Sequence, residues 1–214
     1  MTRIVLLHAT TVAFAPIQAA FCNTWPEVET VNLLDDALTT DRARDRELTE
    51  ALSRRFVSLC HYGAGLGADG ILVTCSAFGP AIEAAASELS IPVVKPNAPM
   101  FDAAIRRGSN IAMIATFEPA VATMEDEFRS QARGSRARLT SFVVPEAMTA
   151  LRQGDDDTHN RLVAEKAATL SCYDAIMLAH FSTSRAAAEV RRRTGTAVLS
   201  APEAAVAEMR RRLI

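Results

Sequence analysis

Apolar runs of four to six residues alternate along the chain with stretches of helical period, the signature of βαβ units. Ile4-Val5-Leu6-Leu7 and Ile111-Ala112-Met113-Ile114 carry no polar interruption. Strands this apolar are buried on both faces, as in parallel sheets covered by helices. The pattern predicts strands near 3–9, 29–33, 70–74, 92–95, 110–115, 138–143, 174–179 and 196–199. It predicts helices at about 14–22, 45–62, 79–89, 99–107, 118–132, 156–171, 184–193 and 202–213. The crossovers between parallel strands are expected to be right-handed.

The pattern occurs twice. Asp69-Gly70-Ile71-Leu72-Val73-Thr74-Cys75 returns 105 residues later as Asp174-Ala175-Ile176-Met177-Leu178-Ala179-His180. Pro92–Pro96 lies opposite Ala197–Ala201 at the same offset, and Val5–Thr10 opposite Ile111–Thr116 at 106. Two similar halves would form one site between them, each supplying one proton-transferring side chain. The first lobe is expected to span 1–97 with the C-terminal helix 201–214, and the second 98–200. Pro92, Pro96, Asn97 and Pro99 mark the crossing.

Bulk composition narrows the function class. Of the 214 residues, 49% are apolar and 22% charged, ordinary for a globular protein. A net charge of −2 gives no electrostatic case for nucleic acid or an anionic membrane. No segment approaches the roughly 20 apolar residues of a membrane helix. Four cysteines without paired spacing suit a cytoplasmic protein with reduced thiols. Arg191–Arg193 and Arg210–Arg212 meet the negative ends of predicted helices. Asp155-Asp156-Asp157 stands where a helix begins and reads as a cap rather than a metal site. No metal-ligand set is visible. Gly63-Ala64-Gly65-Leu66-Gly67 precedes a strand, so it reads as a helix stop and turn rather than a dinucleotide loop.

Ligands of open parallel sheets bind beyond the carboxyl ends of the strands. Cys75 is at such an end and precedes a helix. The N–H groups and dipole there suit a carboxylate and favour thiolate. Alone, Cys75 would read as a small buried apolar residue. His180 at the equivalent position turns the reading toward acid–base chemistry. Thr10, Ser76, Thr116 and Ser182 supply hydroxyls at the same strand ends, with Ala77 and Phe181 beside them. His8 and Lys95 also end strands, and Lys95 could neutralise a substrate carboxylate.

These residues resemble the aspartate/glutamate/hydantoin racemase superfamily over nearly the whole chain. The resemblance rests on the strand ending in Cys75, the strand ending in His180, Ile111–Thr116, and Leu199-Ser200-Ala201-Pro202-Glu203. It implies an α/β fold of two pseudo-symmetric Rossmann-like lobes with parallel four-stranded sheets and a site between the lobes. It also implies cofactor-independent proton transfer on a small carboxylate or ureide, and a homodimer or higher homo-oligomer. In the racemases two cysteines face each other across the substrate carbon. Cys75 matches the first, and His180 stands where the second belongs. The family's Asn-Thr after the first cysteine is here Ser76-Ala77.

Several readings stay open. Cys75 and His180 form an unlike pair in a racemase, or Cys75 acts alone in an arylmalonate-type decarboxylase or maleate-type isomerase. A non-catalytic protein that binds a small carboxylate is the third.

Overall fold

The computed structural model describes residues 1–45 and 47–214. The chain divides into two compact units, Met1–Pro96 with Ala205–Ile214, and Asn97–Ala204.

In the first unit, β1 (Arg3–His8) leads through α1 (Phe14–Thr24) to β2 (Glu29–Leu34). Then follow α2 (Ala37–Arg42), α3 (Glu50–Gly65), β3 (Gly70–Val73), α4 (Gly79–Glu88) and β4 (Val93–Val94). The strands form a parallel sheet in the order β2-β1-β3-β4. Ile4–Leu7 and Ile71–Val73 are fully buried, which is what uninterrupted apolar central strands require. One sheet face packs on Leu52, Phe56 and Cys60 of α3, and Phe56 stacks on Phe78 at 4.9 Å.

The second unit repeats this path. It contains α5 (Ala98–Arg107), β5 (Asn110–Ala115), α6 (Val121–Gln131), β6 (Arg138–Val143), α7 (Pro145–Arg152) and α8 (Asp156–Ala168). β7 (Ala175–Leu178), α9 (His180–Thr183), α10 (Ala187–Arg193) and β8 (Ala197–Ser200) complete it, in the parallel order β6-β5-β7-β8. The final helix, α11, spans Ala201–Leu213. In the first unit, its Arg210 guanidinium donates to the Thr24 carbonyl at 3.1 Å. A Cβ on Gly70 would sit 2.6 Å from the Met209 sulfur, so only glycine lets that helix lie against β3 without displacing the methionine.

One carboxylate fixes the same junction in each unit. Asp69 Oδ2 accepts from the Arg3 N–H at 2.8 Å. Asp174 Oδ2 accepts from the Ser109 and Asn110 N–H groups, each at 2.8 Å. The ladders pair Leu7 with Val73 and Ile114 with Leu178. The first strands are therefore related by 107 residues, not 106. This corrects the sequence alignment: Thr116 is the counterpart of Ala9, and Phe117 that of Thr10.

Two further differences concern helices. The segment expected to be helical from 45 starts at Glu50 instead, because the Thr49 hydroxyl caps the Leu52 N–H at 3.2 Å. Arg46, within that expectation, lies outside the described residues. α2 and α7 escaped the sequence pattern because each is only about two turns long, too short for a helical period to stand out. Around the glycines, α3 runs on through Gly63 and Gly65, and the turn comes at Gly67 with φ 74°. A Cβ at Gly63 would lie 3.1 Å from Val5, so the helix rides close on β1 there.

Candidate functional site

In the first unit, the sheet order places the carboxyl ends of β1 and β3 side by side. β3 ends at Val73, and Cys75 follows two residues later in extended conformation, half-buried. Ser76–Phe78 form a 3-10 turn that leads into α4, and no side chain caps either start. Thr10 and Ser76 are half-buried and Ala77 is exposed. The Ala77 carbonyl accepts from Arg42 Nε at 3.4 Å, so α2 reaches the turn after Cys75.

His8 is completely buried and faces Thr74, the residue before Cys75. Burial pushes its pKa down to about 4, so the ring is neutral at pH 7. In the tautomer this implies, Nε2–H donates to Asn32 Oδ1 at 3.0 Å and Nδ1 accepts from the Thr74 hydroxyl at 2.9 Å. The Leu7 carbonyl, 3.3 Å from that hydroxyl, is a second and weaker acceptor. Phe14 packs on the ring at 4.3 Å between centroids. His8 thus ties down Thr74, the residue before Cys75.

In the second unit, His180 stands two residues beyond Leu178, the last paired residue of β7. Cys75 stands two beyond Val73, the equivalent residue of β3. His180 has φ 65°, the one positive φ outside glycine among the described residues. Such a conformation costs a side-chain-bearing residue about 1–3 kcal/mol and concentrates at functional sites. Its two ring nitrogens are buried, and neither makes a hydrogen bond of full geometry. Burial pushes its pKa down to about 4, with a backbone contact to Ala179 offsetting part of the effect. An imidazole both strained and short of full hydrogen bonds is poorly explained as a packing residue.

The hydroxyls divide unevenly. Thr116 and Ser182 are buried, and Thr116 Oγ1 lies 3.2 Å from the hydroxyl of buried Thr183. Phe181 is buried beside them.

Residues 8–170 match the sequence profile of the Asp/Glu/hydantoin racemase family. The chain belongs to that family. No curated protein matches it in sequence. Solved structures share its fold. The aspartate racemase of Picrophilus torridus superposes with a TM-score of 0.72 at 14% identity, over 99% of this chain and 94% of that one. The allantoin racemase of Klebsiella pneumoniae gives 0.73 at 16% identity, over 99% and 87%. A glutamate racemase from Thermus thermophilus gives 0.64 at 20% identity, over 98% and 79%.

Within this racemase-family chain, two sequence candidates carry structural partners. Lys95 pairs with the Glu83 carboxylate on α4. In the Ser200–Glu203 segment, Glu203 accepts from the Ser200 hydroxyl at 2.7 Å and is clasped by Arg191 at 2.6 and 2.9 Å. Asp155 caps α8 through the Thr158 N–H at 2.9 Å.

Sequence reasoning missed Asn32, Thr74, Thr183, Arg42 and Arg185. Asn32 had a signal, as a polar residue inside a strand opposite Leu6. Arg185 had none. Its Nε is buried without a partner, and its Nη1 is 3.6 Å from Asp156.

Proposed function

We propose that this protein is a cofactor-independent racemase or epimerase that moves a proton at the α-carbon of a small carboxylate or ureide, with Cys75 and His180 as its two proton-transferring groups. One observation supports this above others: the two residues occupy the same ladder position in their units, and His180 holds it at the cost of backbone strain and two ring nitrogens without a hydrogen bond of full geometry.

The protons balance without a cofactor. Neutral His180 takes the α-proton of one enantiomer and leaves a planar enediolate. The Cys75 thiol returns a proton to the opposite face, leaving thiolate and imidazolium. That ionised form accepts the other enantiomer, and proton exchange with solvent resets the pair. Thr10, Ser76, Thr116 and Ser182 are assigned to the substrate oxygens, with Ala77 and Phe181 shaping the contact.

The weak basicity of His180 favours a second reading. In it Cys75 alone handles the proton, and a malonate-type acid loses CO2 before protonation from one face. Proton-exchange NMR in D2O separates the two, using enantiomers of aspartate, glutamate, 5-substituted hydantoins and allantoin beside arylmalonates. Deuterium at the α-carbon together with the opposite enantiomer supports the racemase. CO2 release with a single stereoisomer supports the lyase. Cys75→Ala is expected to reduce either activity by about 10²–10⁴-fold. Full activity in that variant would sink both readings.

A further inference from the structure

The amino end of the second sheet carries a charge that the first sheet neutralises. Arg3 and Glu29 form the first rung between β1 and β2, and the Arg3 guanidinium donates to the Glu29 carboxylate at 2.8 and 3.2 Å. The equivalent rung between β5 and β6 pairs Asn110 with Arg138. Asn110 donates instead to the Cys172 carbonyl at 3.1 Å, so Arg138 has no acid opposite it. The cover differs as well. In the first unit α11 reaches the turn between α1 and β2, where Arg210 meets the Thr24 carbonyl at 3.1 Å and Glu27 at 3.7 Å. In the second unit Ser109, Asn110, Arg136 and Arg138 line an open groove of about 630 Å³.

Residues 129–138 hold four arginines and no acid, in a chain whose net charge is −2. Helix dipoles explain some of the basic residues at this edge. Arg129 is in the last turn of α6, Arg133 follows its end, and Arg106 and Arg107 close α5. Arg136 stands in the turn before β6 and Arg138 opens that strand, so neither belongs to a helix end. Their guanidiniums make no hydrogen bond or ion pair among the described residues. Two cations that share one groove repel each other, and an anion seated there is attracted by both. The exposed Ser109 hydroxyl adds a donor at the same edge. A second hollow, of about 330 Å³, shares Ala137 and Arg138 with the groove, and Phe128 and Leu139 form part of its wall. Glu125 lines that hollow beside Arg129, and it does not line the groove.

We propose that this groove binds a phosphate monoester. Arg136 and Arg138 receive the phosphoryl oxygens, which their forked N–H groups match in pairs. The apolar or ring portion of the ester lies against Phe128 and Leu139. A phosphoryl group offers three terminal oxygens, enough for two guanidiniums and a hydroxyl at once, where a carboxylate offers two. The strands are parallel, so Asn110 and Arg138 start the sheet whose opposite, carboxyl end carries His180. The site is therefore separate from the residues proposed for proton transfer, and it does not rest on the racemase reading.

Calorimetric titration of the full chain at fixed ionic strength tests this with phenyl phosphate, inorganic phosphate, phenol and a short single-stranded oligonucleotide. Phenyl phosphate should bind with a single site, about tenfold or more tighter than inorganic phosphate, and phenol should give no measurable heat. Arg136→Gln and Arg138→Gln should each weaken phenyl phosphate by about tenfold or more, through loss of charge-assisted hydrogen bonds. Arg133→Gln, which removes a charge outside the groove, should change it by less than about twofold. All three positions are exposed, so urea midpoints should stay at the wild-type value. No binding of phenyl phosphate, or binding that survives both groove substitutions, would overturn the proposal. An equal loss in Arg133→Gln would overturn it too, because the attraction would then be diffuse. So would inorganic phosphate binding as tightly as the ester, which leaves the apolar wall unused. Tighter binding of the oligonucleotide than of phenyl phosphate would replace the site with a nucleic-acid contact.

Discussion

The His8 imidazole closes on the Thr74 hydroxyl at 2.9 Å, directly before the residue proposed as the thiol acid–base group. Removing one partner of a buried hydrogen bond costs about 1–3 kcal/mol, whereas replacing both with apolar groups of similar shape can be nearly neutral. His8→Leu alone should therefore lower stability by about 1–2 kcal/mol. Thr74→Val alone should do the same. The double variant should be no less stable than either single one, a coupling that urea midpoints can read. Additive losses would show that His8 and Thr74 act independently.

Acid should weaken the fold through two histidines. His8 and His180 have pKa values near 4 in the folded protein because both are buried, against about 6.5 in an unfolded chain. Between those values the unfolded chain binds more protons than the folded one. Stability is then complete above about pH 6.5, declines as pH falls toward 4, and stops declining on their account below that. Urea midpoints at pH 7.5 and pH 4.5 would show the drop. His8→Leu and His180→Ala should each shrink it, and an unchanged drop in both would refute the assignment.

Gly108 tests the junction that starts β5. Its φ is 168°, ordinary extended backbone, so conformation is not the reason for glycine. A Cβ there would sit 2.2 Å from Asp174 Oδ2 and 2.3 Å from its Cγ. Alanine must push that carboxylate off the Ser109 and Asn110 N–H groups. Gly108→Ala should cost about 2–3 kcal/mol in denaturant unfolding. The junction is at the amino end of the sheet, so the activity of the remaining folded protein should be unchanged.

The fold was legible because its evidence is local. Runs such as Ile71-Leu72-Val73 announce buried parallel strands without tertiary knowledge, and Asp155 announces a helix start. The repeat ending in Cys75 and His180 also survives in sequence, since both halves keep the spacing from Asp69 or Asp174. Registers do not survive as well. Matching Ala9-Thr10 to Ala115-Thr116 by letter gave an offset one residue short, because only the ladder says which residue faces Val73 or Leu178. The site's polar partners were hidden for the same reason. Nothing in sequence places Asn32 on His8 or Thr183 on Thr116, pairings between residues 24 and 67 apart in the chain. Short helices such as α2, which brings Arg42 to Ala77, fall below the length at which periodicity speaks.

The backbone at His180 yields a prediction with an unusual sign. At an ordinary helical position alanine is more stable than glycine by about 0.5–1 kcal/mol, because glycine loses more chain entropy on folding. At φ 65° the order should reverse, since a Cβ in the left-handed region costs about 1–2 kcal/mol. His180→Gly should therefore unfold at a higher urea concentration than His180→Ala. Both variants also discard two buried ring nitrogens that lack a hydrogen bond of full geometry, which offsets the packing that the ring itself provides. Both should lose racemisation, because neither offers a second base. If His180→Gly is at least as stable as wild type yet inactive, the imidazole is retained for chemistry against the preference of the fold. If both variants are markedly less stable than wild type, the ring is a packing group and Cys75 becomes the only acid–base residue.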